Sequence, residues 1–198
     1  MSMLTKLTAE QMQTSTWSGG TTTQICIYPR EAKYADRQFL WRISSATVDL
    51  AESDFTPLPD YDRYISTLQG EIELTHGQKP SIRLKPFEIH GFSGAEDTHC
   101  VGTCRDFNLM LRRGAAEGSM EALMLCGERI LPAGSGRGET LVYCAAGSCR
   151  VQAGETELSL ASGEAALADR GTELKLQAAN AVLMLCRMQK RNPQLFSK

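Results

Sequence analysis

Residues 106–112 could bind an anion if they form a β-strand. Side chains alternate between the two faces of a strand, so Phe107, Leu109 and Leu111 would share an apolar face. The opposite face would carry the polar members of the stretch, together with one methionine: Asp106, Asn108, Met110 and Arg112. A guanidinium offers a planar fork of donors to a carboxylate, and carboxylate and amide side chains can complete the hydrogen bonding. This polar face either contacts water or lines the interior of a barrel.

A second stretch, residues 39–48, has the same character. Its alternation places Phe39, Trp41 and Ile43 on one face and an arginine with small residues on the other: Arg42, Ser44 and Ala46. Aromatic and β-branched residues favour a strand here. We expect Trp41 to be a core anchor, because large aromatic residues dominate cores.

Further candidates precede and follow these strands. Trp17 could form a wall of a binding pocket, and Asp62 with Arg63 could contact a ligand. The alternative for Asp62 and Arg63 is a structural ion pair between neighbouring strands. The predicted ligand-binding set is therefore Trp17, Arg42, Ser44, Asp62, Arg63, Asp106, Asn108 and Arg112.

Composition excludes several classes of protein. The 198 residues are 42 % hydrophobic and 22 % charged, with a net charge of −2, which is ordinary for a globular protein and gives no sign of binding to nucleic acid or a membrane surface. No apolar run reaches the roughly 20 residues that span a bilayer, and no signal peptide is visible. Seven cysteines without a CxxC pair favour reduced thiols. We expect a cytoplasmic protein.

The elements that position the candidates are predicted to be short antiparallel strands. Apolar and β-branched runs recur about every 8–12 residues with turn signals between them, which is typical of a sandwich or barrel. The predicted strands in the first half are 23–28, 39–48, 61–68, 71–75, 81–84, 87–92, 98–103 and the stretch at 106–112. Residues 114–129 fit a short helix or a crossing strand. The second half repeats the rhythm at 140–145, 149–152, 156–160, 165–168, 173–176 and 181–188.

The similar spacing of the predicted strands in the two halves suggests a duplicated barrel. The hairpin at residues 141–148, followed by residues 158–165 with their Ser-Gly-Glu turn, is similar to the hairpin of cupin barrels. Leu68, Gly70 and Glu71 occupy the corresponding place in the first half. The predicted fold is all-β, a double-stranded β-helix duplicated as a bicupin, with antiparallel sheets and few short helices. Its domains would be 1–114 and 115–198.

Many cupins bind a metal, which requires three or four converging ligands. The chain has only three histidines, His76, His90 and His99, and none in its second half. Two cysteines lie near the last two histidines, at Cys100 and Cys104. However, His99 and Cys100 are adjacent and would point to opposite faces of a strand. We therefore predict no metal and no other cofactor.

Five motifs in order resemble those of the HutD/Ves family over about the first 115 residues. They are Trp17-x-Gly-Gly-Thr with Gln24-Ile25; Phe39-x-Trp41-Arg42-Ile43-Ser44-x-Ala46; Phe55-x-x-Leu-Pro59-x-x-Asp62-Arg63; Leu68-x-Gly70; and Asp106-Phe107-Asn108-Leu109-Met110-x-Arg112. The resemblance implies a metal-free bicupin linked to histidine utilisation, acting as a regulator that senses a metabolite. One departure is Gln24, where the family commonly has glutamate.

Three functions remain open from the sequence. The first is a non-catalytic binding protein for a carboxylate metabolite, of the class of urocanate or N-formyl- or formimino-glutamate, in a mostly apolar pocket with a few polar groups. The second is a metal-independent isomerase, epimerase or lyase, with His90 or His99 and Asp62 or Asp106 as acid and base. The third is a scaffold module without a ligand that forms a homodimer through exposed sheet edges.

Overall fold

The computed structural model describes residues 4–135 and 137–191. These residues form sixteen strands and two short 3-10 helices, Ala9–Gln11 and Tyr34–Asp36, and every strand pair in the sheets is antiparallel, which confirms the predicted all-β class. In these two ranges no helix is long and apolar enough to cross a membrane. The strands are β1 (Leu4–Leu7), β2 (Gln13–Trp17), β3 (Gly20–Tyr28), β4 (Trp41–Val48), β5 (Glu52–Asp54), β6 (Tyr61–Gln69), β7 (Ile72–His76), β8 (Ile82–Leu84), β9 (His90–Ser93), β10 (Thr98–Val101), β11 (Cys104–Arg112), β12 (Ala116–Leu131), β13 (Gly138–Ala153), β14 (Thr156–Ala161), β15 (Ala165–Asp169) and β16 (Leu174–Lys190).

The first compact unit, Met12–Arg113, contains two sheets. A six-stranded sheet has the order β2-β3-β4-β11-β6-β9, and a four-stranded sheet has the order β5-β10-β7-β8. Ile65 of the larger sheet packs with residues of the smaller one in a buried cluster that also contains Ile72, Leu74, Leu84 and Cys100. This burial removes apolar surface of both sheets from water and holds them face to face.

The register of the central strands aligns the candidate residues in rows. Met110 of β11 lies opposite Arg42 of β4 on one side and Arg63 of β6 on the other. Directly paired residues of an antiparallel sheet project from the same face. The backbone positions of the two arginines are therefore about 10 Å apart, since neighbouring strands lie about 4.8 Å apart. Asn108 lies opposite Ser44 in the next row, and Asp106 lies opposite Ala46 in the one after.

The start of β3, just after Trp17, requires a glycine at position 20 for a steric reason. Gly20 has φ +149°, and a Cβ built on it would lie 2.0 Å from the carbonyl oxygen of Thr47. Only glycine allows β3 to start so close to β4, with Gly20 opposite Val48.

The second unit combines the described parts of 1–11 and 114–198. Its sheet has the order β1-β15-β13-β16-β12, with β14 also paired to β13, and it surrounds a buried apolar cluster that includes Val142, Val151, Leu176 and Leu183. The predicted first barrel, 1–114, includes residues 1–11. In the structure Leu4–Leu7 pairs with Ala168–Ala165 of β15 instead, a long-range pairing that a local pattern does not reveal.

Two further stretches differ from expectation. The segment left open between helix and strand is a strand, β12, because it pairs along almost its whole length with β16. The two predicted strands at 173–176 and 181–188 are one continuous strand, β16, which pairs with β12 on one side and β13 on the other. Register shifts at Leu125/Gly127 and Cys144/Ala146 let these long strands bend without a break.

Candidate functional site: a cavity with two buried arginines

A cavity of about 300 Å³ lies in the first unit, on the face of the six-stranded sheet where the polar rows of β4, β6 and β11 project. It is bordered by two apolar clusters, one containing Met110 and Tyr34 and the other Phe55. Its lining comprises Ser15, Trp17, Thr22, Tyr34, Arg42, Ser44, Ala46, Val48, Ser53, Asp54, Phe55, Thr56, Arg63, Asp106, Asn108 and Met110.

Arg42 is buried and held by neutral groups. Its Nε donates to Oε1 of Gln24 at 2.9 Å, and its Nη1 donates to the hydroxyl of Ser44 at 3.0 Å. Its guanidinium carbon lies 4.2 Å from the ring centre of Tyr34, a cation–π contact. Burial lowers the pKa of Arg42, and the fields of Tyr34 and Asp106 oppose that shift. Among the described residues the guanidinium is therefore fixed in place without a carboxylate partner.

Arg63 is also buried, at 7 % exposure, but it is held less completely. Its Nη2 reaches Oδ1 of Asn108 at 3.5 Å, a long hydrogen bond, and its guanidinium carbon lies 5.0 Å from the ring centres of both Phe55 and Phe92. Within the described ranges its Nε is buried with no hydrogen-bond partner. Burial lowers the pKa of Arg63 to about 10, so it remains charged at neutral pH. A buried cation with an unpaired donor is costly and is suited to an anion that fills the cavity.

Asp106 brings a carboxyl group into the same wall. Its Oδ1 accepts the backbone N–H of Ala46 at 2.8 Å, and its own carbonyl accepts the hydroxyl of Ser45 at 2.6 Å. Burial raises the pKa of Asp106 to about 6, against the opposing effects of the Ala46 amide, Asn108 and the two arginines. At neutral pH the three buried charged groups of the cavity, Arg42, Arg63 and Asp106, sum to a net positive charge, which favours an anionic occupant.

The structure brings six of the eight predicted ligand-binding residues to this cavity. They are Trp17, Arg42, Ser44, Arg63, Asp106 and Asn108, and Trp17 is the least buried of them at 37 % exposure. Its indole therefore lies at the rim. Trp41, expected in the core, is buried at 1 % exposure and stacks on Tyr28.

Asp62 and Arg112 lie outside the cavity, which corrects their expected position. Asp62 adjoins Arg63 on β6 and so projects from the other face, where its carboxylate pairs with Arg113 at 2.9 Å. Arg112 ends β11, and its Nη1 donates to the carbonyl of Arg37 at 3.2 Å. Asp62 thus forms the structural ion pair that the sequence left open, with Arg113 in place of Arg63.

Tyr34 and residues 53–56 line the cavity but were not among the predicted residues. Tyr34 lies in a charged, turn-like segment, and its ring lies within 3.9 Å of the guanidinium carbon of Arg37 and 4.2 Å of that of Arg42. The signal that could have identified it was a lone aromatic residue inside a polar loop. Ser53, Asp54, Phe55 and Thr56 reach the cavity from the end of β5, and only tertiary packing reveals this.

The candidate acid–base histidines are engaged elsewhere. The Nε2 atoms of His76 and His90 lie 2.8 Å apart, and Nδ1 of His76 lies 2.9 Å from the hydroxyl of Thr98. His99 lies near the surface, with its Nδ1 2.8 Å from Oδ1 of Asp54. In the described part of the chain no group of three or more histidine, cysteine or acidic side chains is arranged to hold a metal ion.

A family comparison identifies the chain. The model of the HutD family matches residues 9–185, which include all of the first unit and most of the second. The chain belongs to the HutD family. No curated protein matches it.

Solved structures similar to this HutD-family chain share its fold at low sequence identity. The conserved protein of unknown function PA5104 of Pseudomonas aeruginosa PAO1 is 23 % identical, with a TM-score of 0.83 over 94 % of this chain and 99 % of that one. HutD of Pseudomonas fluorescens SBW25 is 21 % identical, with a TM-score of 0.77 over 96 % and 100 %. YhhW of Escherichia coli, described as a bacterial pirin in a second structure, is 9 % identical, with a TM-score of 0.70 over 93 % and 97 %. These likenesses confirm the predicted cupin fold.

Proposed function

We propose that this HutD-family protein is a non-catalytic binding protein for a small carboxylate metabolite and acts as a regulator linked to histidine utilisation. The observation that carries the proposal is the guanidinium of Arg63, buried in the cavity wall with its Nε unpaired among the described residues. Arg42 supplies a second buried cation opposite Met110 in the same row. Two arginines around a hollow present donors that match carboxylate oxygens.

The size of the cavity supports a small ligand. About 300 Å³ corresponds to roughly ten non-hydrogen atoms at the ~30 Å³ that a water molecule occupies in the liquid. Metabolites of the class of urocanate, N-formylglutamate and formiminoglutamate have about this size. The apolar part of such a ligand would contact Met110, Phe55 and Tyr34, while its carboxylate would lie on the arginines.

Binding is favoured over catalysis by the positions of the histidines. General acid–base chemistry requires a titratable group within hydrogen-bond reach of the reacting atom. His90 bonds to His76, and His99 bonds to Asp54 at the protein surface. Neither histidine lines the cavity.

Calorimetric titration tests the proposal. The purified protein is titrated with urocanate, N-formylglutamate and formiminoglutamate, and we expect at least one to bind. Because a hydrogen bond to a charged group contributes about 1.5–3 kcal/mol, Arg42→Gln and Arg63→Gln should each weaken binding about 10–100-fold. Arg113→Gln is the matched control, since Arg113 pairs with Asp62 outside the cavity.

Other outcomes would favour the other two functions. Turnover of one of these acids that is lost in His90→Ala would indicate an enzyme. A folded protein that binds none of the acids would leave a scaffold module.

A further inference from the structure

Asp106 is the only buried carboxylate in the described residues, and it lies in the cavity wall among charged and titratable neighbours. Arg42 on β4 and Arg63 on β6 favour its ionised form, whereas burial opposes it. Its field also acts on two thiols with raised pKa values, Cys100 on β10 and Cys104 on β11. A second carboxylate, Asp54 on β5, lines the same cavity, but its side chain is 85 % exposed and its Oδ1 lies 2.8 Å from Nδ1 of His99. The described residues give its carboxyl neutral hydrogen-bond donors and no ion pair.

The charge of the cavity decides which anions it can hold. Among the buried groups of the cavity, Arg42 and Arg63 leave one unbalanced positive charge when Asp106 is ionised, and a single carboxylate neutralises it. A ligand with two carboxylates in the same hollow would leave one unbalanced negative charge. An uncompensated buried charge is costly, so a proton on Asp106 would restore neutrality.

The hydrogen bonding of Asp106 allows this proton. Oδ1 accepts the N–H of Ala46, and the Asn108 side chain also donates to the carboxyl. A protonated carboxyl group keeps enough acceptor lone pairs for both bonds while one oxygen carries the hydrogen. The hydroxyl formed in this way would be a donor in the wall of a cavity whose other buried charged groups, the arginines, are also donors. The Asp106 hydroxyl and the two guanidinium groups would therefore all donate to the oxygens of an anionic ligand.

We propose that Asp106 sets the charge of the ligand: when ionised it admits one carboxylate, and a second carboxylate enters only together with a proton on Asp106. The proposal rests on the proposed function, since it assumes that an anion occupies the cavity. The proton comes from solvent and returns there when the ligand leaves. Burial already raises the pKa of Asp106 to about 6 in the empty protein, and a second negative charge would raise it further.

A matched pair of probes tests the proposal on the unmodified protein. N-formylglutamate has two carboxylates, and N-formylglutamine has one carboxylate and an amide of nearly the same shape. Calorimetry at pH 7.5 in two buffers with different ionisation enthalpies counts the protons taken up on binding. We expect more than half a proton for N-formylglutamate and close to none for N-formylglutamine. The affinity for N-formylglutamate should fall up to tenfold per pH unit between pH 6.5 and 8.5.

The Asp106→Asn variant removes the titration while keeping an oxygen for the Ala46 amide. It should bind N-formylglutamate without proton uptake and with a flat pH dependence. Asp62→Asn is the control, because Asp62 is an acid of the same strand system that lies outside the cavity. It should keep both the proton uptake and the pH dependence of the wild-type protein.

The outcomes separate this proposal from the proposed function. Binding of N-formylglutamate without proton uptake by the wild-type protein would overturn the role of Asp106 alone, and so would an unchanged pH dependence in Asp106→Asn. The proton count does not need the variant to fold. Failure of both probes and of urocanate to bind would reject the proposed function and this proposal with it.

Discussion

His76 of β7 and His90 of β9 face each other through their Nε2 atoms, which lie 2.8 Å apart. One of the two must donate and the other accept. The hydroxyl of Thr98 donates to the carbonyl of Glu96 at 3.1 Å, so Nδ1 of His76, 2.9 Å away, carries the hydrogen of that contact. His76 therefore accepts at Nε2, and His90 donates from its own Nε2. The pair keeps this bond only while Nε2 of His76 is unprotonated.

This pair makes stability depend on pH in a definite direction. Burial lowers the pKa of both histidines. The positive charge of Lys79 lowers both pKa values further, and the negative charge of Glu96 opposes the shift in both. His90 and Arg63 lower the pKa of His76 in addition. Below about pH 6.5 the unfolded chain binds protons more readily than the native protein, so this stabilising contribution is complete above that pH and is lost as the pH falls.

Replacing His90 tests the contribution of the hydrogen bond between the two imidazoles. His90→Gln keeps an N–H donor for His76 and removes one titration, so its free energy of unfolding should decline less than that of the wild type between pH 6.5 and 5. His90→Ala should cost about 1 kcal/mol at pH 7.5 because the donor is lost. Urea unfolding at several pH values measures both. Equal losses in the two variants at pH 7.5 would contradict a stabilising bond between the imidazoles, and His99→Gln serves as an exposed control.

Replacing Arg63 should separate ligand binding from stability. Arg63→Met removes a guanidinium whose Nε is unpaired and leaves an apolar side chain beside Phe55 and Phe92. Without ligand, the free energy of unfolding should stay equal or rise by about 1–2 kcal/mol, while affinity for the carboxylate ligand falls at least tenfold. Arg42→Met should instead lose stability, since it leaves Gln24 without its donor. A loss of more than about 2 kcal/mol in Arg63→Met would refute the contrast.

The residue at position 24 should tune affinity through Arg42. Gln24 accepts from Nε of Arg42 at 2.9 Å. In Gln24→Glu, a carboxylate would pair with the Arg42 guanidinium and cancel one positive charge of the cavity. Anion binding should therefore weaken about tenfold, equivalent to ~1.4 kcal/mol. Calorimetry against Gln24→Met, which removes the acceptor without adding charge, isolates the effect. Unchanged or tighter binding in Gln24→Glu would contradict this prediction.

Ionisation of Asp106 should destabilise the ligand-free protein. Its pKa is raised to about 6 in the fold, so the native state binds this proton more tightly than the unfolded chain, and stability from this group rises as the pH falls from about 6 to 4. Asp106→Asn should be more stable than the wild type at pH 8, by up to about 3 kcal/mol, and the difference should vanish near pH 4. Thermal unfolding at both pH values measures it. A variant less stable than the wild type at pH 8 would contradict this direction.

The alternation of β11 could be predicted because it is local. The period of two placed Asp106, Asn108 and Met110 on one face, and these three residues line the cavity. The reading in which that face contacts water was wrong, since both faces of the strand are buried from Asp106 to Leu111. Strand alternation gives the face of a residue, but the partner of each face depends on tertiary packing.

Alternation also failed at the end of the strand. Arg112 shares the parity of Asp106, but the backbone of Arg112 donates to Leu40 and its side chain donates to Arg37, away from the hollow. The contribution of Tyr34 was equally hidden, because it depends on how one loop folds over the sheet. The length of a strand and the closure of a loop depend on residues that are distant in sequence. The alternation of apolar and polar residues therefore predicts neither of them.

The pairing of Leu4–Leu7 with β15 has a consequence for synthesis on the ribosome. The segment Met12–Arg113 is contiguous, so all its strands have been translated once residue 113 has left the exit tunnel. The other sheet joins its first strand to one that is about 160 residues later, and sheets with such distant partners form slowly. The residues of β1 therefore remain unpaired while Met12–Arg113 is synthesised and folds, until β15 has also been synthesised.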